Sequence, residues 1–252
     1  MAGAVSGAVI VCAVVGYLAT REAAAAETCS GDDFPIAIDV GHDGRRSGAT
    51  SARGVPEYWF NRDFARRLAA RLAVSGFPRT RLLESSDAPL TSEERVARAS
   101  AATAVVLISI HHDSVQPHYL QGWIFEGRRF LYTDKFRGYS LFYSEKNLYP
   151  VQSRALALAI GTELRQVDLT PTLHHAEDIL GEQRKLVNPI LGVYRYDDLK
   201  ILKLAAMPAV LFERGIIVNR AEEEELSTDQ NQALMADAVV RAVRNYCQQR
   251  LQ

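Results

Sequence analysis

The stretch Val105-Val106-Leu107-Ile108-Ser109-Ile110-His111-His112-Asp113 is almost unbroken apolar chain that ends abruptly in two imidazoles and a carboxylate. Two other runs share this form. Ile36-Ala37-Ile38-Asp39-Val40 ends in Gly41-His42, and Ala209-Val210-Leu211-Phe212 ends in Glu213. Short apolar runs without polar alternation suit strands covered on both faces, as in a parallel sheet flanked by helices. In such sheets ligands bind outside the carboxyl ends of the strands. Three runs that deliver His, His and Glu to one edge therefore describe a site as well as a fold.

Amphipathic stretches lie between these runs. Phe60, Phe64, Leu68 and Leu72 recur at i+4 from Glu57 onward, and Pro56 sits where a first helical turn tolerates it. Thr91-Ser92-Glu93-Glu94 offers a helix cap with acids in the first turn. A further helix is predicted around Arg154 to Val167, and Leu234, Ala238, Ala242 and Tyr246 place one apolar stripe on a C-terminal helix. The alternation predicts an α/β class: a single domain with a mostly parallel twisted sheet flanked by helices and right-handed crossovers. The segment from Val115 to Gly192 is richer in aromatics and proline, and reads as an elaborated part of the same domain whose aromatics serve core and hairpin packing. Glu222-Glu223-Glu224-Glu225 reads as a solvated helix start.

The whole chain has 252 residues, 48% hydrophobic and 23% charged, which excludes a disordered chain, a collagen and a multi-span membrane protein. Its 29 Lys and Arg against 30 Asp and Glu leave a net charge of −1, so no basic footprint for nucleic acid exists. Met1 to Ala19 carries no charged side chain, and the small-residue run Ala23 to Ala26 follows. Residues 1–26 thus read as a signal peptide or a membrane anchor, and the expected location is export to the periplasm or cell envelope. Membrane contact is expected only through that segment, if it is retained. Removal after Ala26 would leave Cys29 and Cys247 of the three cysteines. An oxidising compartment predicts that they pair, tying the two ends of the domain together.

The site residues follow from helix geometry. Glu57 shares the stripe of Asn61, Phe64 and Leu68, so it points inward at the first turn, where an unpaired carboxylate is costly. Capping of its own helix is one explanation. A metal is the better one, because two His and one Glu with an open position form a common catalytic zinc set. Of His111 and His112 only one can face that metal, since neighbours on a strand point to opposite faces. No G-x-S-x-G elbow, G-x-G-x-x-G or P-loop competes.

Four segments carry a resemblance: Ile38-Asp39-Val40-Gly41-His42; Glu57 with Asn61; Ser109-Ile110-His111-His112-Asp113; and Pro208 to Gly215 with Asn219. In this order they resemble the zinc-dependent N-acetylmuramoyl-L-alanine amidases, cell-wall hydrolases whose motifs read roughly IDPGHGG, E-x-x-x-N, SIHAN and PAVLVE-x-GF-x-SN. The likeness spans about residues 35 to 245. It implies a zinc amidase catalytic domain over 30–250, with the 115–192 segment within it. It further implies one Zn2+ per chain on His42, Glu57 and His111, with Glu213 as the catalytic carboxylate and peptidoglycan or muropeptides as the partner. The reaction implied is hydrolysis of the amide between the lactyl group of N-acetylmuramic acid and L-alanine. Val40, Asp43 and His112 depart from the family's proline, glycine and small residue. His174, His175 and Asn61 are candidate substrate or transition-state contacts. Two other functions are carried forward: an inert wall-binding module, and a zinc carboxypeptidase using Arg128, Arg129, Arg184 or Arg195 to grip a terminal carboxylate.

Overall fold

The computed structural model describes residues 1, 3, 29, 31–84 and 88–250, so the 1–26 segment lies outside the described residues apart from Met1 and Gly3. The elements in chain order are β1 (Ile36–Val40), α1 (Glu57–Val74), β2 (Thr80–Leu83), α2 (Ser92–Ala101), β3 (Val106–Asp113), β4 (Gln121–Phe125), β5 (Arg128–Tyr132) and β6 (Ser140–Tyr143). They continue with α3 (Pro150–Gln166), β7 (Lys185–Asn188), β8 (Val193–Arg195), α4 (Lys200–Leu204), β9 (Ala209–Ile216), α5 (Arg220–Ser227) and α6 (Asp229–Gln249). No helix among the described residues is long and apolar enough to cross a membrane.

Seven strands form one sheet in the order β2-β1-β3-β9-β6-β8-β7. The three apolar runs are β1, β3 and β9, and they lie side by side in parallel. Their lack of alternation has the expected cause: both faces are covered. Ile36, Ile38, Val106, Ile108, Val210 and Phe212 pack toward one face with residues of α1, α3 and α6. Ala37, Leu107, Ala209 and Leu211 pack toward the other with Leu202 of α4 and Ala99 of α2. Burial of such side chains contributes about 1.5–3 kcal/mol each for the larger ones.

The aromatic segment is more integral than an elaboration. Ser140–Tyr143, fully buried, inserts as β6 antiparallel to β9, and β8 pairs parallel to it. α3 from the same segment packs on α6. The hairpin β4–β5 stands apart as a two-stranded sheet, anchored where Trp123 Nε1 donates to Ala52 O at 2.7 Å. On α6 the buried stripe is Met235, Ala238, Ala242 and Tyr246, while Leu234 is exposed, one position off the expected stripe. Cys29 and Cys247 form a disulfide, with α-carbons 5.7 Å apart and 218 residues between them in sequence.

The Glu222–Glu225 run does lie at a helix start, but only Glu224 and Glu225 of it are exposed. Asn219 caps α5 by accepting from the backbone N–H of Ala221 and Glu222, and the helix turns Glu222 and Glu223 inward. Glu222 accepts from the N–H groups of Gly138 and Ile216, and Glu223 from Ser51 Oγ and Arg53 Nη1. Partners distant in sequence satisfy carboxylates that would otherwise stay in water.

Candidate active site

The carboxyl ends of β1, β3 and β9 and the first turn of α1 meet at one sheet edge. There His42 Nε2 lies 3.1 Å from Glu57 Oε2, and His111 Nδ1 lies 3.1 Å from Glu57 Oε1. The potential ligand atoms of the three residues all lie within 4.8 Å of one another. Two imidazoles and one carboxylate at that spacing fit a zinc ion. The backbone around them is shaped for close approach. A Cβ on Gly41 would sit 2.4 Å from His111 Nε2, and one on Gly48, whose φ is +75°, would sit 2.3 Å from Glu57 Oε2.

Each donor is held from behind. Arg95 of α2 donates to Asp39 Oδ1 at 2.6 Å, to Val40 O, and to His42 O at 2.5 Å. This clamp fixes the strand end and holds His42 at φ 64°, a region sparsely populated by residues that carry a Cβ. Asp39 also accepts from Ser109 Oγ at 2.6 Å, across the register pair Asp39–Ser109. Neither Arg95 nor this pair figured among the expected site residues. A signal was present: the first two apolar runs each carry one polar residue, and the two fall in register. Asp43 accepts from the N–H groups of Arg45 and Arg46 and closes the loop after His42.

Glu57 accepts from Ala49 N at 3.0 Å and from Asn61 Nδ2 at 3.0 Å. Burial alone would push its carboxyl up, but hydrogen bonds and charge from His111 and His42 hold it well below the usual carboxylate range. Burial likewise disfavours a charged His42, and Glu57 overrides this, so the imidazole lies above its ordinary value. Asn61, expected as a substrate contact, is fully buried, and its amide is committed to Glu57 Oε1 and Gly41 O. It positions the glutamate instead.

The pleat separates the two histidines of β3. His111 pairs across to Glu213 in the β3–β9 register. His112 faces the α1 side, buried, with Nδ1 2.7 Å from Asn61 Oδ1. Its Nε2 accepts from Arg214 Nη1 at 3.2 Å, and burial together with the Arg214 charge keeps it neutral, well below its usual range. Because Arg214 faces His112, it cannot pair with Glu213. Glu213 Oε2 is enclosed and without a hydrogen-bond partner. Burial, and then the charges of Asp113 and Glu57, push its carboxyl well above the usual range.

The remaining candidates divide. His175 lines a cavity of about 260 Å³ together with Asp113, Glu182, Arg184 and Glu213. His174 is buried, only 3% exposed, so it offers no surface to a substrate. Of the four arginines a carboxypeptidase could use, Arg184 reaches that cavity, held by Glu182 O, Gly181 O and Tyr196 Oη. Arg195 is paired with Asp197, and Arg128 and Arg129 stand on the exposed hairpin.

The chain is 26% identical over 228 residues to a Buchnera aphidicola protein whose name assigns it to the N-acetylmuramoyl-L-alanine amidases, covering 84% of this chain and 93% of the relative. In fold it resembles the N-acetylmuramyl-L-alanine amidase Ami1 from Mycobacterium smegmatis, with a TM-score of 0.65 and 21% identity over 87% of this chain and 98% of that one. An N-acetylmuramoyl-L-alanine amidase from Clostridium difficile gives a TM-score of 0.62 and 21% identity, covering 84% of this chain and 96% of that one. The family model described as N-acetylmuramoyl-L-alanine amidase matches residues 36–245, which takes in every strand of the sheet and every residue of the His–Glu–His set. By that match the protein is a member of the N-acetylmuramoyl-L-alanine amidase family.

Proposed function

We propose that this amidase is a zinc hydrolase that releases the stem peptide from N-acetylmuramic acid by cutting the amide to L-alanine, with His42, Glu57 and His111 holding the ion and Glu213 moving the proton. The observation that carries this reading is the convergence of those three donors beside Glu213, whose Oε2 has no hydrogen-bond partner among the described residues. A zinc ion held by these three residues would supply Lewis acidity to the scissile carbonyl and make the attacking water more acidic. Glu213 accepts the proton of the attacking water and returns it to the departing alanine amine. A carboxyl raised above its usual range holds a proton more readily, as the accepting half of that transfer requires. Asn61 and His112 are shut away from the cavity beside His42 and His111, and Arg95 lines it. They fix Glu57 and His42 in place, which is where a small displacement costs rate.

An inert wall-binding module has no use for a carboxylate oxygen enclosed without a partner among the described residues. We further read the chain as exported to the periplasm or cell envelope, with residues 1–26 as the targeting or anchoring segment and one catalytic domain over 30–250. The apolar start of the sequence and the Cys29–Cys247 bridge support this, since disulfides persist in oxidising compartments.

Mass spectrometry of the products from purified muropeptides tests the reaction. The expected products are an intact stem peptide with a free L-alanine amine and a sugar with a free lactyl carboxylate, and chelation stops their release. A shortened stem peptide would instead assign a carboxypeptidase, and turnover that survives chelation would remove the metal from the mechanism.

A further inference from the structure

Two residues past His111, Asp113 leaves β3 into a second cluster of ligating side chains. The short turn His174–Ala176 presents two imidazoles to it. His175 Nε2 lies 2.7 Å from Asp113 Oδ2, and His174 Nε2 lies 3.4 Å from the same oxygen. The potential ligand atoms of the three residues lie within 4.8 Å of one another, the same closeness found in the His42–Glu57–His111 set.

The far side of each ring is already occupied. His174 Nδ1 is 2.8 Å from Thr172 Oγ1, and His175 Nδ1 is 2.9 Å from Glu182 Oε2. Glu182 is itself fixed by Gln116 Nε2 at 2.8 Å. Metal-binding histidines show this pattern: the outer nitrogen donates to an oxygen, which sets the tautomer and turns the other lone pair inward. Both Nε2 atoms then face one carboxylate oxygen, the inward arrangement that a shared cation satisfies. A single proton on His175 satisfies that ring. It does not satisfy His174, whose Nε2 is buried and makes no hydrogen bond.

Charge and access agree with this geometry. The cavity of about 260 Å³ beside the cluster is lined by Asp113, Glu182 and Glu213, three carboxylates against the one guanidinium of Arg184. It gives an ion a path inward, with Phe142 beside His175 as part of its wall and Phe136 packed against His174.

We propose that Asp113, His174 and His175 form a second site for a divalent transition cation of the zinc class, at the cavity that Glu213 also lines. Two imidazoles and a carboxylate suit zinc or cobalt, and the set leaves at least one coordination position to water. The site shares no ligand with the set that holds the proposed catalytic ion, so it stands whether or not that reading does.

Metal counting on the full chain tests it. Metal-free protein is dialysed against Zn2+, washed, and analysed by mass spectrometry of the metal, with Co2+ absorption as a second readout. The wild type should retain two equivalents, His42→Ala one, His174→Gln one, and the double variant none. Glu182→Gln should weaken only the second equivalent, by about 10–100-fold. One equivalent in the wild type that His42→Ala abolishes would overturn the proposal, and this arm needs no change in the second cluster itself. One equivalent that survives His42→Ala but is lost in His174→Gln would uphold the second site and overturn the first.

Discussion

The two sides of β3 and β9 at their carboxyl ends make an instructive pair. On one side stand Ser109, His111 and Glu213; on the other stand His112 and Arg214, one residue further along each strand. The residue types are alike, imidazole and charged group on each side. Their surroundings differ. On the second side every polar atom is engaged: Arg214 donates to His112 Nε2, Asn231 Oδ1 and Leu226 O, and its guanidinium lies 4.3 Å from the Phe64 ring centroid. On the first side Glu213 keeps an oxygen with no partner. A closed network gives rigidity, and an open one leaves a group free to exchange protons. The pleat of the strand assigns adjacent residues to these opposite tasks.

Exchanging the two histidines is the strongest way to break that contrast. His111→Ala should lose zinc and lower turnover by more than about 10³-fold, because the ion's charge stabilisation goes with it. His112→Ala should keep its zinc and show its loss in stability instead. Metal analysis beside activity decides this, and the reverse pattern would mean that the pleat had been assigned the wrong way round.

Glu213→Gln comes next. It keeps the shape and removes the proton acceptor, so zinc should remain while kcat falls by about 10²–10⁴-fold. Turnover near the wild-type value would return Glu213 to a structural role and leave the two sides alike.

On the closed side the expected loss is in folding. Arg214→Met keeps the volume but leaves three buried acceptors without a donor, a cost of about 2–4 kcal/mol read from denaturant unfolding. A cost below about 1 kcal/mol would show that the network is dispensable.

The smallest effect sharpens the contrast through pH. Burial raises the Glu222 carboxyl from 4.5 to about 7, against the two N–H groups that donate to it. A group that is protonated more readily in the folded state stabilises the fold below its unfolded pKa and loses that contribution as pH rises to the folded value. Wild-type stability should therefore fall relative to Glu222→Gln between about pH 4.5 and 7, by about 1–3 kcal/mol, and the difference should be flat above that window. A difference that grows as pH falls would reverse the sign and show Glu222 to be held as a carboxylate.

These contrasts also mark what could be read from the chain alone. The parallel half of the sheet was legible because β1, β3 and β9 bury both faces, so apolar character runs unbroken and stops where chemistry begins. The antiparallel half was not. β6 is four residues long, too short for any period to register, and its partners β8 and β9 lie far along the chain. His42, Glu57 and His111 were legible as ends of elements. Arg95 was not, because its value lies in reaching Asp39 and two carbonyls of another element, which only the folded register brings near. The buried Glu222 and Glu223 were misread for the same reason: a run of four acids looks like a solvated surface until its remote donors are in view.

The disulfide near the chain ends fixes how the domain can be attached to anything else. Cys29 leads into the amino end of β1, and Cys247 brings the last turn of α6 to the same point, where Phe34 and Tyr246 also meet edge to face. The proposed zinc site lies at the other end of β1, one five-residue strand away, a span of about 16 Å. Cys29 and the last turn of α6 thus meet at the edge remote from that site. A pull on Cys29 or on Cys247 therefore draws on one covalent knot, one strand length away from the His42–Glu57–His111 set.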